Sequence, residues 1–364
     1  MGRNIAVVFG GRSNENEISV ITGTMALNVL KSGGDSVIPL YISCEGEIFT
    51  GENLSDINAF SKDISAFPRA QITKGGVYIC NKRGKPKKFV PLYAAVNCCH
   101  GGLGEGGGVC GLFAVNGIPF ASAGMFESAA FMDKYFTKLV LSALNVRVAE
   151  YKYIRGISEI DIAEKLGYPL IIKPAKLGSS IGVVRADDRA QLEAGLESAF
   201  LLDDGVIIEG YFQDKREINC AACLTEGELL ISECEEALPK SGVYSFEDKY
   251  TGEGASVLPA DIPKRTAGEI KNIVREVYTR LNMRGIVRFD FILSGGQIYL
   301  SEINTVPGSL AYYLFADGFK KFYPVLSAVI ARAVLDNDEQ DKKRIIHTGI
   351  LDNIPSNACK HNRK

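Results

Sequence analysis

Residues 4–10, "NIAVVFG", are apolar at nearly every position instead of alternating with polar ones. A strand that does not alternate is buried on both faces, which is the situation in a parallel sheet covered by helices. The run passes directly into "GRSNENEIS", a glycine turn and a helix start, and "PLYAAVNCCHGG" at 91–102 repeats the order of strand and Gly-rich turn. Parallel αβ architecture at the N-terminus follows. The chain has 364 residues, room for two or three such units and a sizeable core.

Downstream the pattern changes. Residues from about Ser128 to Leu144 read as one helix, and "GYPLIIKPAKLGSSIGVV" at 167–184 reads as strand, loop, strand. Segments after Glu217 are strand-rich, a helix is expected around Ala267 to Leu281, and Ala331 to Lys364 drift into charged, polar sequence expected to form a frayed helix end and a mobile tail. The fold class expected is α/β with α+β elements. The parts are an N-terminal αβ domain (1–125), a central subdomain (126–214), a C-terminal subdomain (215–336) and a polar tail (337–364).

Charge and cysteine usage exclude several function classes. A net charge of −2 offers no basic field for nucleic acid, and no apolar run is long enough to span a membrane. With the first strand so near the start of the sequence, no signal peptide is expected. The nine cysteines (44, 80, 98, 99, 110, 220, 223, 234 and 359) are odd in number and scattered. Only Cys220 and Cys223 have CxxC spacing, and their apolar, strand-like surroundings read as reduced core cysteine, neither zinc ligand nor redox pair. A cytoplasmic protein is expected.

The chemistry concentrates in "FDFILSGGQIYLSEIN" at 289–304, two apolar runs around Ser-Gly-Gly-Gln that predict a β-hairpin. A three-residue loop of Gly295, Gly296 and Gln297 sets Asp290 opposite Glu302 and Arg288 opposite Asn304, so one face collects all four polar groups. Facing carboxylates repel. A hard divalent cation relieves that repulsion, and carboxylate and amide oxygens suit Mg²⁺. A solvated hairpin face is the alternative. In "KPAKLGSSIG" at 173–182, glycines flank Ser179 and Ser180, enough backbone N–H groups to cradle an anion. The segment is not a GxxxxGK[ST] loop, and "FGGRSNENE" lacks GxGxxG, which argues against P-loop and dinucleotide folds. Lys134 in "MDKYFTK" and Lys173 at the end of an apolar strand are each explicable as snorkelling surface residues. Together with the serine loop and the acidic hairpin they point to ATP and Mg²⁺.

These motifs resemble a known family. "GGRSNENEIS", "HGGLGEGGGVCG", "MDKYFTK", "IKPAKLGSSIG", "VIIEGY", "EDKY", "VRFDF" and "SEINTVPGS" follow the order and spacing of the D-alanine:D-alanine ligases of the ATP-grasp superfamily, over roughly residues 3 to 335. The resemblance implies a three-domain ATP-grasp fold and an ATP-dependent ligase acting on D-alanine for peptidoglycan precursors, with no nucleic acid or membrane partner and a homodimer as an open alternative. It implies that Lys134 and Lys173 contact the ATP phosphates, that Glu209 holds adenine with Tyr211 and Phe212 beside it, and that Glu217 holds ribose. Asp290, Glu302 and Asn304 are implied as ligands of two Mg²⁺ or Mn²⁺ ions. Glu15 is implied to bind the first amino group and to bond Ser179 and Tyr250, while Lys249 reaches the transferred phosphate. Arg288 and the backbone N–H of Gly308 form the implied oxyanion hole, and His100 lies beside the substrate.

The chain departs from the family pattern at three places. Gly106 stands for an Asp and Cys110 for a Gln in the HGxxGEDGxxQG motif, and "SLAYYL" follows "NTVPG" where the family has a Thr and a Ser that grip the second substrate's carboxylate. Tyr313 takes the serine's place; a phenol also donates to a carboxylate but fills more space. An acceptor other than D-alanine is the alternative reading.

Overall fold

The structure is a computed structural model that describes residues 3–238 and 255–343 together with 346, 348 and 349. Its first sheet is built as the sequence implies. Strand β1 (Asn4–Gly10) lies at the centre, parallel to β2 (Ser36–Ile42) and β7 (Ala94–Asn97), with β8 (Phe120–Ala121) parallel to β7 and the short β3 (Ile48–Phe49) antiparallel at the far edge. Ile5 to Phe9 are wholly buried, which is why the run carries no polar residue. The helix Asn16–Ser32 covers one face, and the long helix Phe319–Asp341 returns from the far end of the chain to pack against it. Arg3 fastens that return, bonding Asp35 at 2.9 Å and Ser327 at 3.0 Å. A meander of β4 (Ala70–Thr73), β5 (Gly76–Cys80) and β6 (Pro86–Pro91) is inserted before β7.

The second sheet is antiparallel, in the order β11 (Val184–Ala186), β10 (Leu170–Pro174), β12 (Val206–Gly210) and β9 (Tyr151–Ile154). Leu170, Ile172 and Pro174 are buried on one face of β10, so the period-two alternation turns Ile171 and Lys173 to the other. Ile171 pairs with Glu209 and Lys173 with Ile207, which brings the lysine and the glutamate to the same face. The third sheet runs β16 (Ala255–Val257), β15 (Glu235–Leu238), β13 (Arg216–Leu224), β17 (Ile286–Ser294) and β18 (Gln297–Asn304), with β14 (Leu229–Ile231) beside β13. The helix Lys264–Arg280 covers it through Ile270, Val274, Val277 and Tyr278. Cys220 and Cys223 are free and buried in β13, as core residues.

Three expectations are corrected. The single helix from 128 to 144 is two, Met125–Met132 and Lys134–Ala143. Asp133 breaks it: its backbone is extended and its carboxylate accepts the N–H groups of Tyr135 and Phe136 at 2.8 and 3.2 Å, capping the second helix. The hairpin turn has two residues, not three. Gly295 and Gly296 take φ of +54° and +71°, the left-handed pair a tight hairpin turn needs, so Ser294 faces Gln297. A bulge between Asp290 and Phe291 then absorbs one residue, and Asp290 faces Glu302 and Arg288 faces Asn304 as expected, by a different route. The last helix stays regular to Asp341 instead of fraying near 331, and most of the expected tail lies outside the described residues.

Candidate active site

The second and third sheets face each other across a cleft lined by Lys134, Lys173, Glu209, Glu217, Asp290 and Glu302. Lys173 Nζ lies 2.7 Å from Glu209 Oε2, and Lys138 pairs with the other oxygen. Burial raises the Glu209 carboxyl, but the charges of Lys173 and Lys138 outweigh it and hold it at about 2. Burial lowers Lys138 and Glu209 offsets this only in part; for Lys173 the same contest ends above the ordinary value, because Glu209 and Glu302 both face it. Sequence reasoning missed Lys138, although it stands four residues after Lys134 in "MDKYFTK" and therefore on the same helix face. Lys134 Nζ donates to Leu177 O at 2.5 Å and stands 3.5 Å from Glu302 Oε1, which ties the helix start to the serine loop. Ser179 and Ser180 both sit at positive φ, turning that loop into the cleft. At its outer end Tyr211 lies under the Arg185 guanidinium at 4.4 Å, Phe212 packs on Tyr299, and Glu217 pairs with Lys215.

On the hairpin, Arg288 forks onto Asp290 at 2.7 and 2.9 Å, and Asn304 Nδ2 donates to Asp290 Oδ2 at 2.9 Å. Both carboxylates of the facing pair thus have a basic partner, Arg288 for Asp290 and Lys134 for Glu302. Two carboxylates and an amide are hard oxygen donors of the kind Mg²⁺ takes, but here Arg288 and Lys134 supply the neutralising charge, and among the described residues no three His, Cys, Asp or Glu side chains cluster as a metal site.

A second cavity of about 620 Å³ opens beyond the hairpin and is lined by Glu15, His100, Arg288, Asn304, Gly308 and Tyr313. Glu15 is buried and accepts a hydrogen bond from Ser179 Oγ. Glycine lies close on either side of it: a Cβ at Gly101 would lie 2.6 Å from Glu15 Oε2, and one at Gly178 2.9 Å from the same atom, so a side chain at either position displaces the carboxylate. His100 Nε2 is 2.8 Å from Thr22 Oγ1, which also accepts the backbone N–H of Ser309 at 3.0 Å. Burial, with Arg288 adding to it, lowers His100 to about 4, so the ring is neutral. Glu105, also missed although it stands inside the quoted "HGGLGEGG", is raised to about 7 by burial and, less, by Glu15, against a hydrogen bond from Gly101 N–H. Ser309, Leu310 and Ala311 form a left-handed turn at φ near +50°, which costs side-chain-bearing residues roughly 1–2 kcal/mol each. Buried Leu310 and Ala311 anchor it. Tyr313 follows; burial pushes its phenol up to about 12, while Arg288 at its side opposes. Lys249 and Tyr250 lie outside the described residues.

Two sheets closing on one cleft, cations and a serine loop on one side and oxygen donors on the other, form the nucleotide clamp of an ATP-grasp fold. The description "D-ala D-ala ligase N-terminus" matches residues 4–123, and "D-ala D-ala ligase C-terminus" matches 141–329. The chain is 35% identical to a D-alanine–D-alanine ligase of Thermosipho melanesiensis over 96% of this chain and 98% of the relative. Among solved structures it is similar to the D-alanine–D-alanine ligase of Helicobacter pylori (27% identity, TM-score 0.75, 91% of this chain and 98% of that one). It is also similar to the VanG D-Ala:D-Ser ligase of Enterococcus faecalis (26% identity, TM-score 0.76, 91% and 100%). The chain belongs to the D-alanine–D-alanine ligase family and is an ATP-dependent ligase. Among the described residues no helix is long and apolar enough to cross a membrane.

Proposed function

We propose that the chain joins two D-alanine molecules, with ATP as the energy source, to supply a peptidoglycan precursor in the cytoplasm. The observation that carries this reading is the continuity of the two cavities through Lys134, Ser179, Arg288 and Glu302, which line both. A phosphoryl donor in one is therefore adjacent to a carboxylate in the other. A carboxylate is a poor acyl donor, so the γ-phosphoryl moves first onto the first amino acid, between Lys134 and Lys173. Glu209, Tyr211, Phe212 and Glu217 hold the nucleoside, Ser179 and Ser180 line the phosphates, and Lys249 reaches the transferred group. Asp290, Glu302 and Asn304 would hold two Mg²⁺ or Mn²⁺ ions, which neutralise phosphate charge when bound.

Glu15 holds the ammonium group of the first D-alanine, with His100 nearby, and its bond to Ser179, together with the Tyr250 contact that the family resemblance implies, would close the site so that water does not reach the acylphosphate. The amine of the second D-alanine attacks, and the tetrahedral oxyanion is met by Arg288 and the Gly308 N–H. Phosphate leaves with one oxygen of the first carboxylate. The divisions at residues 125 and 214 separate a substrate-binding domain from the two ATP-binding subdomains, whereas the expected boundary at 336 falls inside the helix Phe319–Asp341 and moves to its end. The working unit is a monomer or a homodimer.

Tyr313 favours a second reading, coupling to an acceptor other than D-alanine, because its ring fills space that a serine leaves open. Incubation with ATP, Mg²⁺ and D-alanine, alone and with a panel of acceptor amino acids, tests both. Dipeptide with equimolar phosphate from D-alanine alone supports the first; product only with another acceptor supports the second; no phosphate under any condition defeats both.

A further inference from the structure

Residues 67–93 carry seven basic side chains and no Asp or Glu, a segment of +7 in a chain whose net charge is −2, so that the rest carries −9. This segment is the inserted meander with its flanks. Its β5–β6 turn is built rigidly: Asn81 Oδ1 accepts the N–H groups of Arg83 and Lys85, both at 3.0 Å, and Gly84 N donates back to Asn81 O at 2.8 Å. The turn and β6 display Lys82, Arg83, Lys85, Lys87 and Lys88, all exposed and without an ion-pair partner among the described residues; Lys87 shares the outer face with Phe89, and Lys88, opposite Ile79, lies on the other face at the open edge. Val77 and Val90 face inward and are buried. On the outer face Tyr78 and Phe89, opposite each other in the ladder, pack at 5.3 Å and remain 38% and 42% exposed.

Guarding a sheet edge accounts for part of this. β6 is an edge strand, and Pro86, Lys87 and Lys88 discourage another chain from pairing with it. Edge guarding does not require Lys82, Arg83 and Lys85 in the turn, an exposed aromatic pair on the face, or the exclusion of every acid over 27 residues.

We propose that the outer face of this meander docks on a membrane surface that carries anionic lipid headgroups. Clustered lysines meet a diffuse negative surface, while aromatic rings settle at headgroup depth with an apolar body and a polar rim. Five of the seven basic residues are lysine, a flexible point charge, in place of the planar fork of arginine that reads phosphates in register on nucleic acid. No residue of the meander lines either cavity, so docking leaves the site open to its substrates.

The test is co-sedimentation of the full chain with vesicles of phosphatidylcholine mixed with phosphatidylglycerol, against vesicles of phosphatidylcholine alone. The parent partitions onto the mixed vesicles and is released by added salt. A variant with Lys82, Arg83, Lys85, Lys87 and Lys88 all changed to Gln loses about tenfold or more in partitioning, with ligase activity in solution unchanged. A control with Lys165, Lys264, Lys320, Lys321 and Lys342 changed to Gln, exposed lysines on other parts of the surface, retains the parent's binding. Failure of the parent to bind the mixed vesicles, or equal loss in the control, overturns the proposal.

Discussion

Replacing Glu209 by glutamine removes the negative charge that contacts both Lys173 and Lys138. The Glu209 carboxyl, raised by burial and lowered more strongly by Lys173 and Lys138, lies at about 2 against an ordinary value of 4.5. That difference corresponds to ~3 kcal/mol of native-state preference for the ionised form. Glutamine keeps the shape and one acceptor oxygen, but it leaves Lys138, whose side chain is 2% exposed, without an opposite charge at contact distance. Breaking a buried pair from one side typically costs about 3–5 kcal/mol. Urea unfolding of Glu209→Gln at neutral pH should therefore give a free energy lower by ~3 kcal/mol with an unchanged slope. The pH dependence has a definite sign. Because the folded carboxyl titrates below the unfolded one, its contribution is complete above pH 4.5 and is lost as pH falls through about 2. The variant should lack that acid-side loss. A variant within about 1 kcal/mol of the parent, or an identical acid limb, would refute the claim that this ion pair organises the cleft.

Further expectations follow from the same geometry. Glu302→Gln should nearly abolish phosphate release in millimolar Mg²⁺ while the unfolding midpoint stays put; near-normal release removes the metal role of the hairpin. Tyr250→Phe and Ser179→Ala should bind ATP yet raise phosphate released per dipeptide formed, and an unchanged ratio counts against closure by these hydroxyls. Tyr313→Phe should raise the Michaelis constant for the acceptor roughly 10- to 100-fold, since a charge-assisted bond is worth roughly 1.5–3 kcal/mol; a parental value would leave Tyr313 as packing. Glu105 titrates at about 7 in the folded chain, above its ordinary 4.5, so the parent loses stability as pH rises through that window. Glu105→Gln should flatten this loss, and parallel stability curves at pH 5 and pH 8 would contradict it.

The first sheet was legible because a strand buried on both faces leaves an unbroken apolar run, and Ile5 to Phe9 show nothing else. The facing of Asp290 and Glu302 was legible for a less secure reason. The turn was misjudged by one residue and the bulge restored the register, a compensation invisible in a pattern of period two. Asp133 hid a helix break because the apolar spacing on either side continues in phase, and a capping carboxylate leaves no mark on that spacing. Lys138 and Glu105 were missed although both stand inside quoted motifs. The charge of Lys138 announces itself through its partner, and Glu209 is distant in sequence, while Glu105 is perturbed chiefly by burial, which local spacing does not reveal. The charge of the inserted meander is invisible in the whole-chain net charge, which averages it away.

The central claim is transfer of a phosphoryl group to a carboxylate before the peptide bond forms, and oxygen-18 in the carboxylate of D-alanine tests it most directly. With ATP, Mg²⁺ and labelled D-alanine, the account predicts that each inorganic phosphate released carries one labelled oxygen taken from the first amino acid. Label in the nucleotide product, or unlabelled phosphate accompanying dipeptide, would contradict it.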